Sequence, residues 1–125
     1  MANEITMVGQ LTVLKGSLSF GIPRLTKLLT WTGTKYTQGT QTIGFAAHEL
    51  VALGSDHSSA VGGMCLFINL DPTNYLELGI DDSATFEPLI RLVAGDFCMF
   101  RSTTSAIYAR ANTAACELQK LLMEA

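Results

Sequence analysis

LFINLDPTNYLELGI, residues 66–80, sets two apolar-rich runs on either side of a short polar knot, Asp71-Pro72-Thr73-Asn74. Asp at the first position of a turn accepts a backbone N–H, and Pro at the second presets φ near about −65°. Asn tolerates the unusual dihedrals of the exit. The stretch therefore reads as a hairpin in which residues 66–70 and 75–80 are antiparallel neighbours. In the second run Tyr75, Glu77 and Gly79 point one way and Leu76, Leu78 and Ile80 the other, so one face is buried and one is solvated or in contact with a partner.

The same alternation extends in both directions. Near the start, Ile5, Met7, Leu11 and Val13 share one side, and Thr6, Val8, Gln10 and Thr12 the other. Gly9 interrupts this run, as a bulge or a close backbone approach does. Lys15-Gly16 is turn-like, and residues 17–20 alternate again. Residues 24–36 are rich in Thr and include Trp31, both strand-favouring, and Pro23 bars a helix from crossing it. Further strand-like runs begin near residues 41, 48, 63, 75, 88, 96 and 106. Between them lie turn compositions such as GSDHSSAVGG, DDSAT, AGD and STTS. Short strands at roughly ten-residue spacing, each followed by a turn signal, predict an all-β protein. The expected architecture is an antiparallel β-sandwich, jelly-roll or Ig-like. With no repeat, low-complexity tract or linker, it would be a single domain over residues 1–125.

The last segment, ANTAACELQKLLMEA, fits two templates. Ala115, Leu118, Leu121, Leu122 and Ala125 line one face of a helix with Thr113 as its cap. Cys116, Leu118 and Leu122 share one face of a strand.

A chain of 125 residues buries roughly two thirds of the surface that its unfolded form exposes, enough to fold without a metal or disulfide. It is 48% hydrophobic and only 15% charged, where an average soluble domain is about 25% charged. Uncharged surface is easily desolvated, which suits burial in an assembly; a Thr-, Ser- and Gly-coated β protein has the same composition. The net charge is −3, and the eight basic residues are scattered from Lys15 to Lys120. A phosphate-tracking surface needs them clustered, so nucleic-acid binding is not expected. No apolar run approaches the 18 or so residues of a membrane span, and no secretory signal pattern opens the chain. The three cysteines, Cys65, Cys98 and Cys116, each sit among apolar neighbours, where free cysteine serves as a small buried hydrophobe. Their use fits synthesis in a reducing cytoplasm.

Catalytic patterns are not apparent. His48 and His57 do not share ligand spacing with each other or with cysteine. Asp56, His57 and Ser58 are consecutive, and neighbours on an extended chain point apart, so they do not form a triad. Asp71, Glu77, Asp81, Asp82 and Glu87 lack the spacing of a calcium loop, and no glycine pattern marks a nucleotide site. No catalytic residue, metal ligand or cofactor is therefore assigned. Contact residues are the better candidates. Arg91, Arg101 and Arg110 each lie in or beside an apolar strand, where a snorkelling surface role competes with pairing to a partner's carboxylate. Trp31, Tyr36 and Phe45 read first as sandwich core; as an alternative, Trp31 and Tyr36, with Tyr75, are exposed anchors. The candidate interface is thus Trp31, Tyr36, Tyr75, Arg91, Arg101 and Arg110.

LFINLDPTNYLELGI, TFEPLIRLVAGDFCMFR and IYARANTAACELQKLLME together resemble a group of small virion proteins of tailed bacteriophages. Their pattern runs N-L-D-x-T-N-[YF]-[VL]-E-[VL]-G, then T-F-x-P-hydrophobic-x-[KR]-L-x-A-G-[DE], a Phe-Arg, and [IL]-Y-A-[KR]-A-[ND]-T-A-A. Residues 69–79, 85–96, 100–101 and 107–115 match it in order, while the N-terminal half fits more loosely. The resemblance implies that residues 116–123 form a final strand. It also implies a structural component of a phage particle, made in the host cytoplasm, and not an enzyme. The expected role is a capsid decoration or cement protein, a dimer or trimer bound to the major capsid protein or other virion proteins. A tail, neck or fibre component is the first alternative, and a carbohydrate-binding jelly-roll module, using DPTNY or TWTGTKY, the second.

Overall fold

The computed structural model describes residues 4–52, 63–104 and 106–124. These are all-β, with ten strands: β1 (Ile5–Lys15), β2 (Leu18–Leu29), β3 (Tyr36–Ile43), β4 (Glu49–Leu50), β5 (Met64–Asn69), β6 (Leu76–Asp82), β7 (Thr85–Leu92), β8 (Phe97–Arg101), β9 (Tyr108–Ala111) and β10 (Cys116–Met123). Although the sequence carries no linker, the chain forms two compact units, Met1–Thr32 and Gly33–Ala125.

The first unit is a long hairpin of β1 and β2, an arm. Gly16 takes φ +58° at the first central position of its two-residue turn, the conformation a primed hairpin turn demands there. The register breaks between Gly9 and Leu11, leaving Pro23 and Arg24 opposite Gln10. The interruption expected at Gly9 is thus a bulge, and the bulge explains how Pro23, with no N–H to donate, sits inside a strand. Directly paired residues share a face. Leu11 pairs with Ile22, Val13 with Phe20, Gly9 with Leu25 and Ile5 with Leu29, all on one side. Thr6, Val8, Thr12 and Leu14, with Ser19, Thr26 and Leu28, form the other.

The second unit is a β-sandwich of two four-stranded antiparallel sheets, ordered β3-β10-β5-β8 and β4-β9-β6-β7. Counted within the unit, the orders are 1-8-3-6 and 2-7-4-5. This is jelly-roll order, the first of the two sandwich types expected. The inner faces share one apolar cluster. Ile43, Cys65, Phe67, Leu118 and Leu122 come from the first sheet, and Leu76, Leu78, Leu92, Ala109 and Ala111 from the second.

In this order most consecutive strands change sheets, which corrects the reading of residues 66–80. Residues 66–70 and 75–80 are not paired. β5 is flanked by β10 and β8, and β6 by β9 and β7, so neither has a free edge for the other. The polar knot is a corner between sheets. Its local chemistry is as expected, since Asp71 Oδ2 accepts the N–H groups of Thr73 and Asn74. The corner is fixed from beneath by buried Asn69, whose Nδ2 donates to Asn74 O and Leu92 O and whose Oδ1 accepts the Asp71 N–H. The alternation expected in β6 holds: Glu77 stands opposite Arg91 and Asp81 opposite Phe86 on the solvent side, while Leu78 and Ile80 line one cleft on the other. Leu76 and Leu78 are buried and Ile80, toward the strand's end, is more exposed; the register shift between Leu78 and Gly79 leaves the extra residue, Leu89, in β7.

The last segment is a strand, and a central one. β10 lies between β3 and β5, with Cys116, Leu118, Lys120 and Leu122 facing inward. Lys120 is the exception in that row. Its Nζ donates to Gln41 Oε1 and Ala52 O, and burial lowers its pKa. Gln41 in turn donates to Glu49 Oε1 and Leu50 O, which ties the short β4 to the rest of the fold.

Candidate interaction surfaces

The six contact candidates do not converge on one site. Tyr75, Arg91 and Arg110 belong to the solvent side of the β4-β9-β6-β7 sheet. There Arg91 and Arg110 both stand opposite Glu77 in register. Arg91 Nη2 donates to Glu77 Oε2 at 3.2 Å, and its guanidinium lies 4.1 Å from the centre of the Tyr75 ring. Arg110 lies 5.1 Å from the Phe86 ring. The same face carries a group that the sequence did not single out. His48 stacks on Phe86, meets Tyr108 edge-on, and shares a 2.7 Å hydrogen bond with Asp81. Sequence spacing hides it because His48 and Asp81 are far apart in the chain and meet only once the sheet forms. These rings and guanidiniums are held by one another, so this face is a preorganised amphipathic surface.

Tyr36 and Arg101 lie at the edges of the other sheet, on β3 and β8. Tyr36 and Phe45 are exposed rather than in the core. The strands there bury Ile43 and Phe67 instead, which occupy the inward phase of the alternation. Trp31 belongs to the first unit, where its N–H donates to Glu4 Oε2. His57, with Asp56 and Ser58, lies outside the described residues.

The outer side of the β3-β10-β5-β8 sheet is unlike a solvated face. Inward-pointing Cys65, Phe67 and Phe100 leave Leu66, Ile68, Phe97 and Met99 on the outside. Leu66 pairs with both Met99 and Leu121, and Ile68 pairs with Phe97. Phe97 is 64% exposed. An apolar strip of this kind marks a contact surface when it is contiguous. A cleft of about 330 Å³ opens elsewhere, between the two sheets, walled by Leu78, Ile80, Leu89, Ile90, Phe100 and Ile107. Ser102 borders the cleft, but its hydroxyl is engaged with Thr104 O and the Thr104 N–H, which is turn chemistry and not nucleophile activation.

At DPTNY, one of the two stretches a sugar-binding module would use, the polar and aromatic groups are engaged. Asp71 Oδ2 is bound by backbone amides, which hold its pKa below the usual carboxylate range, and one face of Tyr75 is covered by Arg91. Among the described residues no three His, Cys, Asp or Glu side chains are placed to hold a metal ion, and no helix is long and apolar enough to cross a membrane. Compared with protein-family models, curated proteins and solved structures, the chain has no significant match in any of the three.

Proposed function

We propose that this chain is a structural protein of a bacteriophage particle, a capsid-decorating protein that binds the major capsid protein and stabilises the head. Its motif resemblance across residues 69–115 supports the particle. The role as a contact protein is carried by one observation: a jelly-roll body joined to a hairpin whose large apolar side chains are exposed along its length. An isolated two-stranded hairpin is marginally stable in water, so such an arm is built to be covered. Jelly rolls serve as capsid and as sugar-binding domains alike, and fold alone does not choose between them. The occupied groups of the 71–75 corner favour the structural role.

The hold on the particle would come from apolar area repeated over many copies, with avidity compensating for modest single contacts. Electron microscopy of the particle tests this. The expected density for the chain is on the head shell, at junctions between capsomers. Density in the tail, neck or fibres alone would overturn the head assignment in favour of those parts. Release of the chain at moderate salt would overturn the apolar mode, because exposed ion pairs are screened within about 8–10 Å at such ionic strength.

A further inference from the structure

We propose that the arm is an exchange element: the apolar face of β1–β2 in one copy packs on the outer face of the β3-β10-β5-β8 sheet of a second copy. The inference concerns the partner of the arm and does not depend on where in a particle the chain resides.

Both halves of this contact are present on one chain. On the arm, Leu11, Leu18, Phe20, Ile22 and Leu25 are each at least half exposed and share one face by register. On the sandwich, Leu66, Ile68, Phe97 and Met99 form a matching apolar strip. The arm is about 36 Å long at the usual rise per residue, long enough to lie across the strip and beyond it. Its exposed apolar side chains amount to roughly 500–700 Å². Full burial of that face sets an upper bound of roughly 1,000–1,400 Å² over both surfaces, about the lower limit for stable protein contacts; the four-residue strip covers only part of the arm, and the rest must lie on neighbouring sheet surface.

Charge selects the sandwich, and not another arm, as the partner. Residues 1–32 carry Glu4 against Lys15, Arg24 and Lys27, a net +2. The whole chain is −3, so residues 33–125 carry −5. Lys15 and Lys27 lie on the apolar face of the arm itself, paired with Leu18 and Met7. Two arms laid face to face would confront these lysines with each other. The receiving strip has Asp96 beside Phe97 and Glu117 facing outward on β10 at one end, with Arg101 in the same outward row of β8 at the other. Opposite charges across a contact set its orientation and partner, and here they direct the Lys15 tip toward Asp96 and Glu117. An arm-to-sandwich contact uses two different patches. It is therefore heterologous: two copies that exchange arms reciprocally close as a two-fold pair, and exchange that passes to a third copy propagates into rings or extended arrays.

Sedimentation of the purified full chain and of two variants tests this. One variant blocks the arm (Phe20→Asp with Leu25→Asp) and the other blocks the sheet (Phe97→Asp with Met99→Asp). The wild type is expected to self-associate. Each variant alone should lose roughly a hundredfold or more in self-affinity, as for central anchors of a contact. An equimolar mixture should form a 1:1 complex, because each variant supplies the surface the other lacks. That recovery also establishes that both variants are folded. Thr at the same four positions, which preserves strand propensity, replaces Asp if either variant misfolds. A monomeric wild type would overturn the proposal. So would a sheet-blocked variant that associates as well as wild type, the result expected for arm-to-arm contact. Folded variants that fail to pair when mixed would overturn it too. None of these outcomes bears on the particle location, which the microscopy decides separately.

Discussion

The arm and the sandwich are made from the same kind of sequence and have opposite fates. β1 and β10 both alternate apolar and polar side chains. In β10 the inward row of Cys116, Leu118 and Leu122 is sealed by the facing sheet. In β1–β2 the corresponding row leaves Leu25 60% and Phe20 56% exposed. Alternation therefore specifies that a strand has two unlike faces; it does not specify what covers the apolar one. The covering depends on how many further strands the topology brings over it. The sandwich has eight strands wrapped in jelly-roll order, and the arm has two.

That contrast can be broken most directly by truncating one side chain in each region. Phe67 is fully buried, with its ring centre 5.8 Å from that of Phe100. Phe67→Ala should cost about 3–5 kcal/mol in urea unfolding, the range for a large core truncation. Leu11→Ala on the arm, measured at a dilution where copies are separate, should cost less than about 0.5 kcal/mol. Equal losses would mean that the arm is as much a part of the folded core as Phe67 is. Gly79→Ala is the next largest effect. A Cβ there would lie 2.0 Å from Glu87 O and 2.8 Å from Pro88 Cα, both backbone atoms. Relief requires moving the β6–β7 pairing, at about 2–3 kcal/mol, as overpacking does.

Much of the fold was legible because the signals were local. Turn residues and alternation identified all-β structure, the Lys15-Gly16 turn and the bulge at Gly9. Partner choice was not legible. Asp71-Pro72 is the same turn chemistry whether the chain doubles back or crosses to the other sheet, and the deciding group, Asn69, reaches Leu92 O far along the chain. The bulge at Leu89 was hidden for a related reason: a bulge is defined against its neighbour strand. Of the contact candidates, Arg91 and Tyr75 do meet, but no spacing rule joins them to His48. The exposed arm face was present in the pattern Ile5, Met7, Leu11, Val13, yet sequence does not distinguish an uncovered apolar face from a covered one.

Polar groups inside the sandwich sharpen the comparison, since the arm has no interior to place them in. Lys120→Ala removes the donor to Gln41 Oε1 and Ala52 O. It should cost about 1 kcal/mol, the worth of lost hydrogen bonds at a partly buried site, because Gln41 Oε1 keeps the Ala52 N–H as a donor. Hydrogen exchange should show the loss concentrated near residues 49–52. The thiols give a pH dependence. Burial pushes Cys65 and Cys98 up to about 11, with the proximity of Cys98 adding to the effect at Cys65. Unfolded thiols ionise near about 8.5. A raised acid favours its neutral form in the folded state, so the unfolded chain loses protons first. Stability should be level below about pH 8.5 and fall as pH rises toward 11. Urea midpoints measured at successive pH values check this, and a midpoint that rose over that interval would contradict it.

The smallest effect compares the two hairpin turns. The arm turns on Gly16, for which φ +58° carries no penalty. The β6–β7 turn has Ser83 at φ +52° and Ala84 at φ +70°. Both central positions are left-handed, as a type I′ turn requires, yet neither is Gly or Asn. A Cβ in that region is crowded by the neighbouring carbonyl, at roughly 1–2 kcal/mol per residue relative to the right-handed form. The sandwich tolerates this because β6 is anchored in the sheet, by β9 over Leu76–Gly79 and by β7 up to the turn. The arm has no such support, and its turn is relaxed. Ala84→Gly should therefore stabilise the chain by about 0.5–1 kcal/mol; the strain it removes exceeds the flexibility it adds to the unfolded state. Pairing it with Ser83→Asn gives the Asn-Gly turn that type I′ favours most and should add a few tenths more, about 0.3 kcal/mol. Gly16→Ala should have the opposite sign, loosening the arm while leaving the urea midpoint of the sandwich unchanged. If Ala84→Gly destabilises instead, the β6–β7 turn is held by contacts of the Ala84 methyl, and the two turns differ in packing and not in strain.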